Sequence, residues 1–239
     1  MNNLNSQTQV KKYFSNRNVE ENYMSNYVMP LSLKSVLPKD KNVSILDIGC
    51  GFGYILNILK SFGYNNIQGI DISEEAVSVC KKNGLNVEQI SSLDDFFTTN
   101  NKKFDFILMT HVIEHISKDK IIETLKQIKS TMTEKGELYL STPNAQSNTG
   151  SYWMFEDFTH TTIFTSGSII YVLKSAGFDE INFVDPHDLM RHGFLAQMLK
   201  KFLLSLYKLN KKFWNKVTAS SYHKPSPEIY AFEIKVIAK

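Results

Sequence analysis

From Val43 onward, short apolar runs alternate with amphipathic stretches. Val43 to Ile48 reads as a buried strand, Gly53 to Phe62 as a helix and Asn66 to Ile70 as a second strand. Ser73 to Asn83 reads as a helix with Ser73 as N-cap and Glu74 and Glu75 in its first turn, where acids favour the helix dipole. Asn86 to Ile90 and Phe104 to Thr110 follow as strands, Lys118 to Met132 as a helix and Glu137 to Ser141 as a strand. A helix from Ser166 to Ala176, closed by Gly177, then leads to strands near Glu180 to Val184 and Ile229 to Ala238. Strands separated by helices pair in parallel through crossovers, so the pattern predicts an α/β fold. Its sheet should be seven-stranded and mostly parallel, with helices on both faces.

Three pieces fall outside the alternation. Residues 1–40 read as an N-terminal helical cap whose aromatics, Tyr13, Phe14, Tyr23 and Tyr27, suit a lid over a site. Residues 144–165, rich in Asn, Thr, Ser and aromatics, suit a long functional loop after a strand. Residues 188–228 read as a basic helical insertion or lid, which divides the core into 41–187 and a last strand within 229–239. Within the insertion Leu195, Leu199, Phe202, Leu206, Leu209 and Phe213 recur at spacings of four and three, one apolar stripe of a helix.

Composition narrows the class. With 239 residues and 42% hydrophobic content the chain can bury a core without disulfides, and two cysteines, Cys50 and Cys80, fit a reducing, cytoplasmic setting. Polar residues at the N-terminus give no secretory signal, and no apolar run reaches membrane-spanning length. The net charge of +3 is mild, yet Arg191, Lys200, Lys201, Lys208, Lys211, Lys212 and Lys216 form an acid-free group of seven cations, leaving the remainder near −4. Three readings of that segment compete: packing on the domain or on a second copy in a homodimer, a lid bringing Arg191 and His192 to a phosphorylated acceptor, and contact with an anionic membrane surface.

The chemistry centres on Asp47-Ile48-Gly49-Cys50-Gly51-Phe52-Gly53, where a strand runs through glycines into a helix and the backbone can approach a ligand. Glycines alone would serve a tight turn. Asp71, ending the second strand, adds a carboxylate at the position that reaches ribose hydroxyls. Dinucleotide loops read G-x-G-x-x-G, whereas this one reads G-x-G-x-G, and Asp47 would repel a pyrophosphate but attract an ammonium group. S-adenosylmethionine (SAM) is therefore the expected cofactor.

With Phe104-Asp105-x4-Thr110-His111-Val112-Ile113-Glu114-His115, these motifs resemble class I SAM-dependent methyltransferases, in the branch close to small-molecule enzymes acting on ubiquinone precursors. The resemblance spans roughly residues 43–184 and implies the Rossmann-like class I methyltransferase fold. It also implies that Asp47, Gly49, Cys50, Gly51 and Gly53 hold the methionine part, Asp71 and Ile72 the ribose and adenine, and that Thr110 and His111 lie beside the sulfonium. Many relatives carry an acid after the third strand; here Ser92 and Leu93 stand in its place. Glu114-His115 lacks the spacing of a metal pair on a helix, so no metal is expected.

Methyl transfer from a sulfonium is an in-line displacement, helped by a general base when the acceptor is a hydroxyl. The segment Asp157-Phe158-Thr159-His160, followed by Phe164-Thr165, resembles a pattern of methyltransferases in capsule, lipopolysaccharide and other surface-glycan pathways. That resemblance implies a small-molecule acceptor such as a sugar or sugar nucleotide. Expected roles are His160 as base, His111 as the alternative base, and Asn144, Tyr152, Trp153, Asp157, Arg191 and His192 as substrate contacts. A structural role for Asp157 and His160, tying the loop to its neighbours, competes with catalysis. A quinone-like acceptor and a non-catalytic SAM-binding subunit remain as alternatives. No nucleic-acid partner is expected, because Thr110-His111-Val112-Ile113 stands where an exocyclic-amine enzyme carries N/D-P-P-Y/F.

Overall fold

The computed structural model describes residues 12–23, 27–190, 193–220 and 225–239. Seven strands form one sheet: β1 (Ile45–Ile48), β2 (Ile67–Asp71), β3 (Val87–Gln89), β4 (Phe104–Thr110), β5 (Met132–Pro143), β6 (Ile181–Phe183) and β7 (Glu233–Ala238). Their spatial order is β3-β2-β1-β4-β5-β7-β6. β1 pairs in parallel with β2 and β4, β2 with β3 and β4 with β5, while β7 runs antiparallel to both β5 and β6. The predicted mostly parallel seven-stranded fold is the one observed.

Alternation along the strands sends side chains to two helical layers. Leu46 and Ile48 of β1 and Ile107 and Met109 of β4 pack with α6 (Ile121–Ser130) and α8 (Ser166–Ser175). Ile45, Phe106 and Leu108 pack on the other face with Leu33 of α2 (Leu31–Val36) and Leu59 of α3 (Tyr54–Ser61). α4 (Glu74–Lys82) begins as expected, with the Ser73 hydroxyl accepting from the Ala76 N–H at 3.3 Å.

Two helices were not foreseen. α5 (Leu93–Thr99) is capped by the Ser92 hydroxyl, and α7 (Gly150–Glu156) interrupts the stretch read as a loop. At the N-terminal side the described cap comprises α1 (Tyr13–Asn16), turns up to Tyr23, and α2. The basic segment forms α9 (Phe194–Val217), 24 residues without one buried side chain. It touches the body through Tyr207, whose hydroxyl accepts from the Asn148 N–H and whose ring meets Tyr230, and through Lys200 on Asp188. Its apolar stripe stands exposed, so packing of that stripe on the domain is not what is found. No described helix is long and apolar enough to cross a membrane.

Candidate functional site

Strands β1, β2 and β4 end side by side, and the turns leaving them form the floor of a cavity of about 960 Å³. The loop after β1 needs its glycines. Gly49 has φ +68° and a Cβ there would lie 2.4 Å from Val112 Cγ2; Gly53, at +77°, would meet Leu85 Cδ1 at 2.4 Å. Gly49, Cys50, Gly51, Asp71, Ile72, Leu93, Thr110 and His111 all line the cavity. Gly53 shapes the turn from behind. Ser92, expected beside the adenine, does not line the cavity; its side chain caps α5.

Asp47 alternates with Ile45 on the strand face covered by α2 and α3. It is 1% exposed, and neither carboxylate oxygen has a hydrogen-bond partner among the described residues. Burial, reinforced by the charge of Asp71, raises its pKa to about 8. Asp71 accepts from the backbone N–H of Gly51 and of Ser73, each at 2.8 Å, and burial raises its pKa despite those bonds. Two buried acids beside a glycine cradle suit a cationic ligand with hydroxyls and an ammonium group, so the residues present fit SAM.

The cap forms the opposite wall. Tyr13, Phe14, Arg17, Tyr23 and Tyr27 line the cavity, and the Phe14 ring lies 4.4 Å from that of Phe52. Glu75 of α4 holds this lid by accepting from the N–H groups of Phe14 and Ser15 at 2.9 and 3.1 Å. Asp157 holds it from the other side. One of its oxygens accepts from the Tyr13 hydroxyl at 2.6 Å and from Arg17 at 2.9 Å, and the other from the Thr159 hydroxyl at 2.6 Å and its N–H at 2.9 Å. These partners outweigh burial and bring the Asp157 pKa down to about 2. Asp157 thus ties the N-terminal cap to the loop at Thr159.

The expected bases are placed differently from their sequence reading. His111 adopts φ +53°, with Nε2 2.7 Å from Glu233 Oε1 and Nδ1 3.2 Å from Glu114 Oε1. Burial opposes its charge, but the two carboxylates raise its pKa to about 10; a protonated ring makes a poor base, and His111 is a wall of the cavity. His160 does not line the cavity: its Nδ1 donates to the Trp153 carbonyl at 2.7 Å, and its ring packs 4.7 Å from that of His115. The cavity wall also carries His115, which the sequence reading weighed only as half of a metal pair. Its Nδ1 lies 2.8 Å from the Thr159 hydroxyl, which gives its own proton to Asp157; Nδ1 is therefore the donor and Nε2 carries the lone pair.

The remaining substrate assignments also shift. Asn144 is fully buried; its amide donates to the carbonyls of Ile229 and Ala231 at 2.8 Å each, tying β5 to the chain entering β7. Tyr152 is exposed, and Trp153 packs on Phe232; neither lines the cavity. No residue of α9 lines it either, and Arg191 and His192 lie outside the described residues.

A family model described as "Methyltransferase domain" matches residues 16–182. The ubiquinone biosynthesis O-methyltransferase of Saccharomyces cerevisiae mitochondria is 32% identical over 127 residues, 48% of this chain and 38% of that protein. That of Pelagibacter ubique is 28% identical over 132 residues, 54% of this chain and 52% of that one. The chain thus spans about half the length, or less, of these relatives. Among solved structures, a SAM-dependent methyltransferase from Archaeoglobus fulgidus superposes with a TM-score of 0.65 at 18% identity, covering 95% of this chain and 97% of the other.

Proposed function

Because the chain belongs to the methyltransferase-domain family of class I, SAM-dependent type, we propose that it transfers a methyl group from SAM to a hydroxyl of a small, largely apolar acceptor. Its cofactor is SAM, which supplies an electrophilic methyl on a sulfonium centre. The observation that carries the reading is the unpartnered Asp47 carboxylate, buried just behind Ile48 and Gly49 of the cavity wall, with Asp71 itself lining a cavity roomy enough for cofactor and acceptor together. Its volume of about 960 Å³ lies at the upper end of ordinary small-molecule sites.

In this reading Asp47 and the backbone of residues 49–51 hold the amino-acid part of SAM, and Asp71 accepts from the ribose hydroxyls, with Ile72 and Leu93 against the adenine. The lid of Tyr13, Phe14 and Arg17, pinned by Glu75 and Asp157, excludes water and orients the acceptor. The acceptor hydroxyl lies at the polar corner made by His115, Ser117, Thr159 and Thr161, and gives up its proton there.

Aromatic walls (Tyr23, Tyr27, Phe52, Tyr54, Phe158 and Phe232) favour a ring-bearing acceptor, a quinone precursor or similar phenol. A sugar or sugar nucleotide of surface-glycan assembly is the second reading, supported by the hydroxyl-rich corner of Ser117, Thr159 and Thr161. Incubating the protein with methyl-labelled SAM and two acceptor panels, catechols and activated sugars, tests the choice. Label should enter a catechol oxygen; incorporation confined to sugars would reverse the ranking, and none in either would sink the hydroxyl-acceptor reading.

A further inference from the structure

We propose that α9 is a docking surface for an anionic lipid bilayer, lying in the plane of the headgroups with its apolar stripe toward the acyl chains and its lysines against lipid phosphates.

The way α9 is mounted leaves that stripe free. At about 100° per residue, Lys200, Leu204, Tyr207 and Lys211 share one side of the helix, and all four are half-buried. This side meets the body. Lys200 pairs with Asp188 at 2.8 Å, the Tyr207 ring lies 5.2 Å from that of Tyr230, and Lys208 beside them sits 3.5 Å from His187. Leu195, Leu199, Phe202, Leu206, Leu209 and Phe213 fall on the opposite side, each 48% to 80% exposed. A helix that covered the core would be turned the other way, stripe inward. From Leu195 to Phe213 the stripe runs about 27 Å. Single exposed apolar side chains are ordinary on a protein surface, whereas a continuous row of this length marks an interaction site.

Charge names the occupant. The helix holds six lysines and no acid. Lys201, Lys212 and Lys216, all exposed, run along one flank of the stripe, level with phosphate headgroups once the stripe is sunk in the acyl boundary. Against a second copy of the chain the fit is worse: α9 laid on α9 brings two lysine-flanked stripes together with no carboxylate from either helix to answer them. The breadth of the apolar side also suits a bilayer. With exposed Met198, Leu203 and Trp214 beside the stripe it takes up nearly half of the helix circumference, wider than the two-row seam by which a helix pairs with one partner helix. Because α9 is not apolar enough to cross a membrane, its place is on the surface.

The test is cosedimentation of the full chain with vesicles of phosphatidylcholine, with and without phosphatidylglycerol, at low and raised NaCl. Thermal melts, SAM binding and sedimentation velocity are measured on the same samples. The wild type should bind phosphatidylglycerol vesicles, bind pure phosphatidylcholine at least about tenfold more weakly, and lose affinity as salt rises. Lys201→Gln/Lys212→Gln/Lys216→Gln should weaken binding about 100-fold, at about fivefold per lysine. Phe202→Gln/Leu206→Gln, which alters only exposed positions, should also weaken it about 100-fold while melting and SAM binding stay as in the wild type. No binding to phosphatidylglycerol vesicles at low salt, or wild-type binding by Phe202→Gln/Leu206→Gln, would overturn the inference. So would a dimer that Phe202→Gln/Leu206→Gln disperses in a protein that ignores vesicles, which would give the stripe to a second copy. The methyl-transfer reading stands apart from these outcomes, since SAM binding is read separately.

Discussion

Asp47→Asn separates what the cofactor site needs from what the fold prefers. With a folded pKa of about 8 against an ordinary 3.8, Asp47 keeps a proton in the native protein over a range where the unfolded chain has lost it. The unfolded state then binds fewer protons, so this group's contribution falls as pH rises from about 4 and levels off above about 8. At pH 7 about three pH units separate the two conditions, which at roughly 1.36 kcal/mol each opposes folding by at most about 4 kcal/mol. Asparagine keeps the shape without the ionisation, though its amide is also buried without partners. The net expectation is a gain of about 2 kcal/mol at pH 7, a rise in Tm of about 4–8 °C. The gap should close near pH 4. The same change should weaken SAM binding about 10- to 100-fold, the worth of a charge-assisted hydrogen bond. Thermal melts from pH 4 to 8 with parallel SAM titrations check both halves. A variant that is less stable at pH 7, or that binds SAM as the wild type does, would refute the reasoning.

Gly49→Ala forces a side chain into the left-handed region and against Val112; a loss of about 1–3 kcal/mol and at least tenfold weaker SAM binding are expected by melting and calorimetry. Asp157→Ala unties Tyr13, Arg17 and Thr159, so limited proteolysis should cut residues 12–23 faster and the acceptor KM should rise more than kcat falls. Asn144→Ala leaves two buried carbonyls without donors and should destabilise by about 2–4 kcal/mol with SAM affinity unchanged, the reverse of what a substrate contact would give.

The strands and the two acids at their ends were legible because they are local. A buried run carrying Asp47 one residue before its end and a second ending in Asp71 place both carboxylates at one sheet edge whatever the flanks do. The acceptor side was not local. His111, His115 and His160 are equally titratable in the sequence, and only the return of Thr161 onto the Glu114 carbonyl puts His160 behind His115. Asn144 looked like a polar loop residue because its partners are 85 and 87 positions away. Ser92 was read as a ligand contact when its position before Leu93-Asp94-Asp95 already fits an N-cap with acids in the first turn. In α9 the helix was visible in the apolar stripe, but a stripe does not say what covers it, and here it faces outward.

The most direct test is calorimetric titration of the purified protein with SAM, its demethylated product and NAD, each at pH 7 in two buffers of different protonation enthalpy. One site for SAM and for the product, none for NAD, and proton release on binding as Asp47 (folded pKa about 8) ionises against the ligand's ammonium group are the expected results. Failure to bind SAM, or equal binding of NAD, would contradict the assignment of the glycine turn, Asp47 and Asp71 to this cofactor.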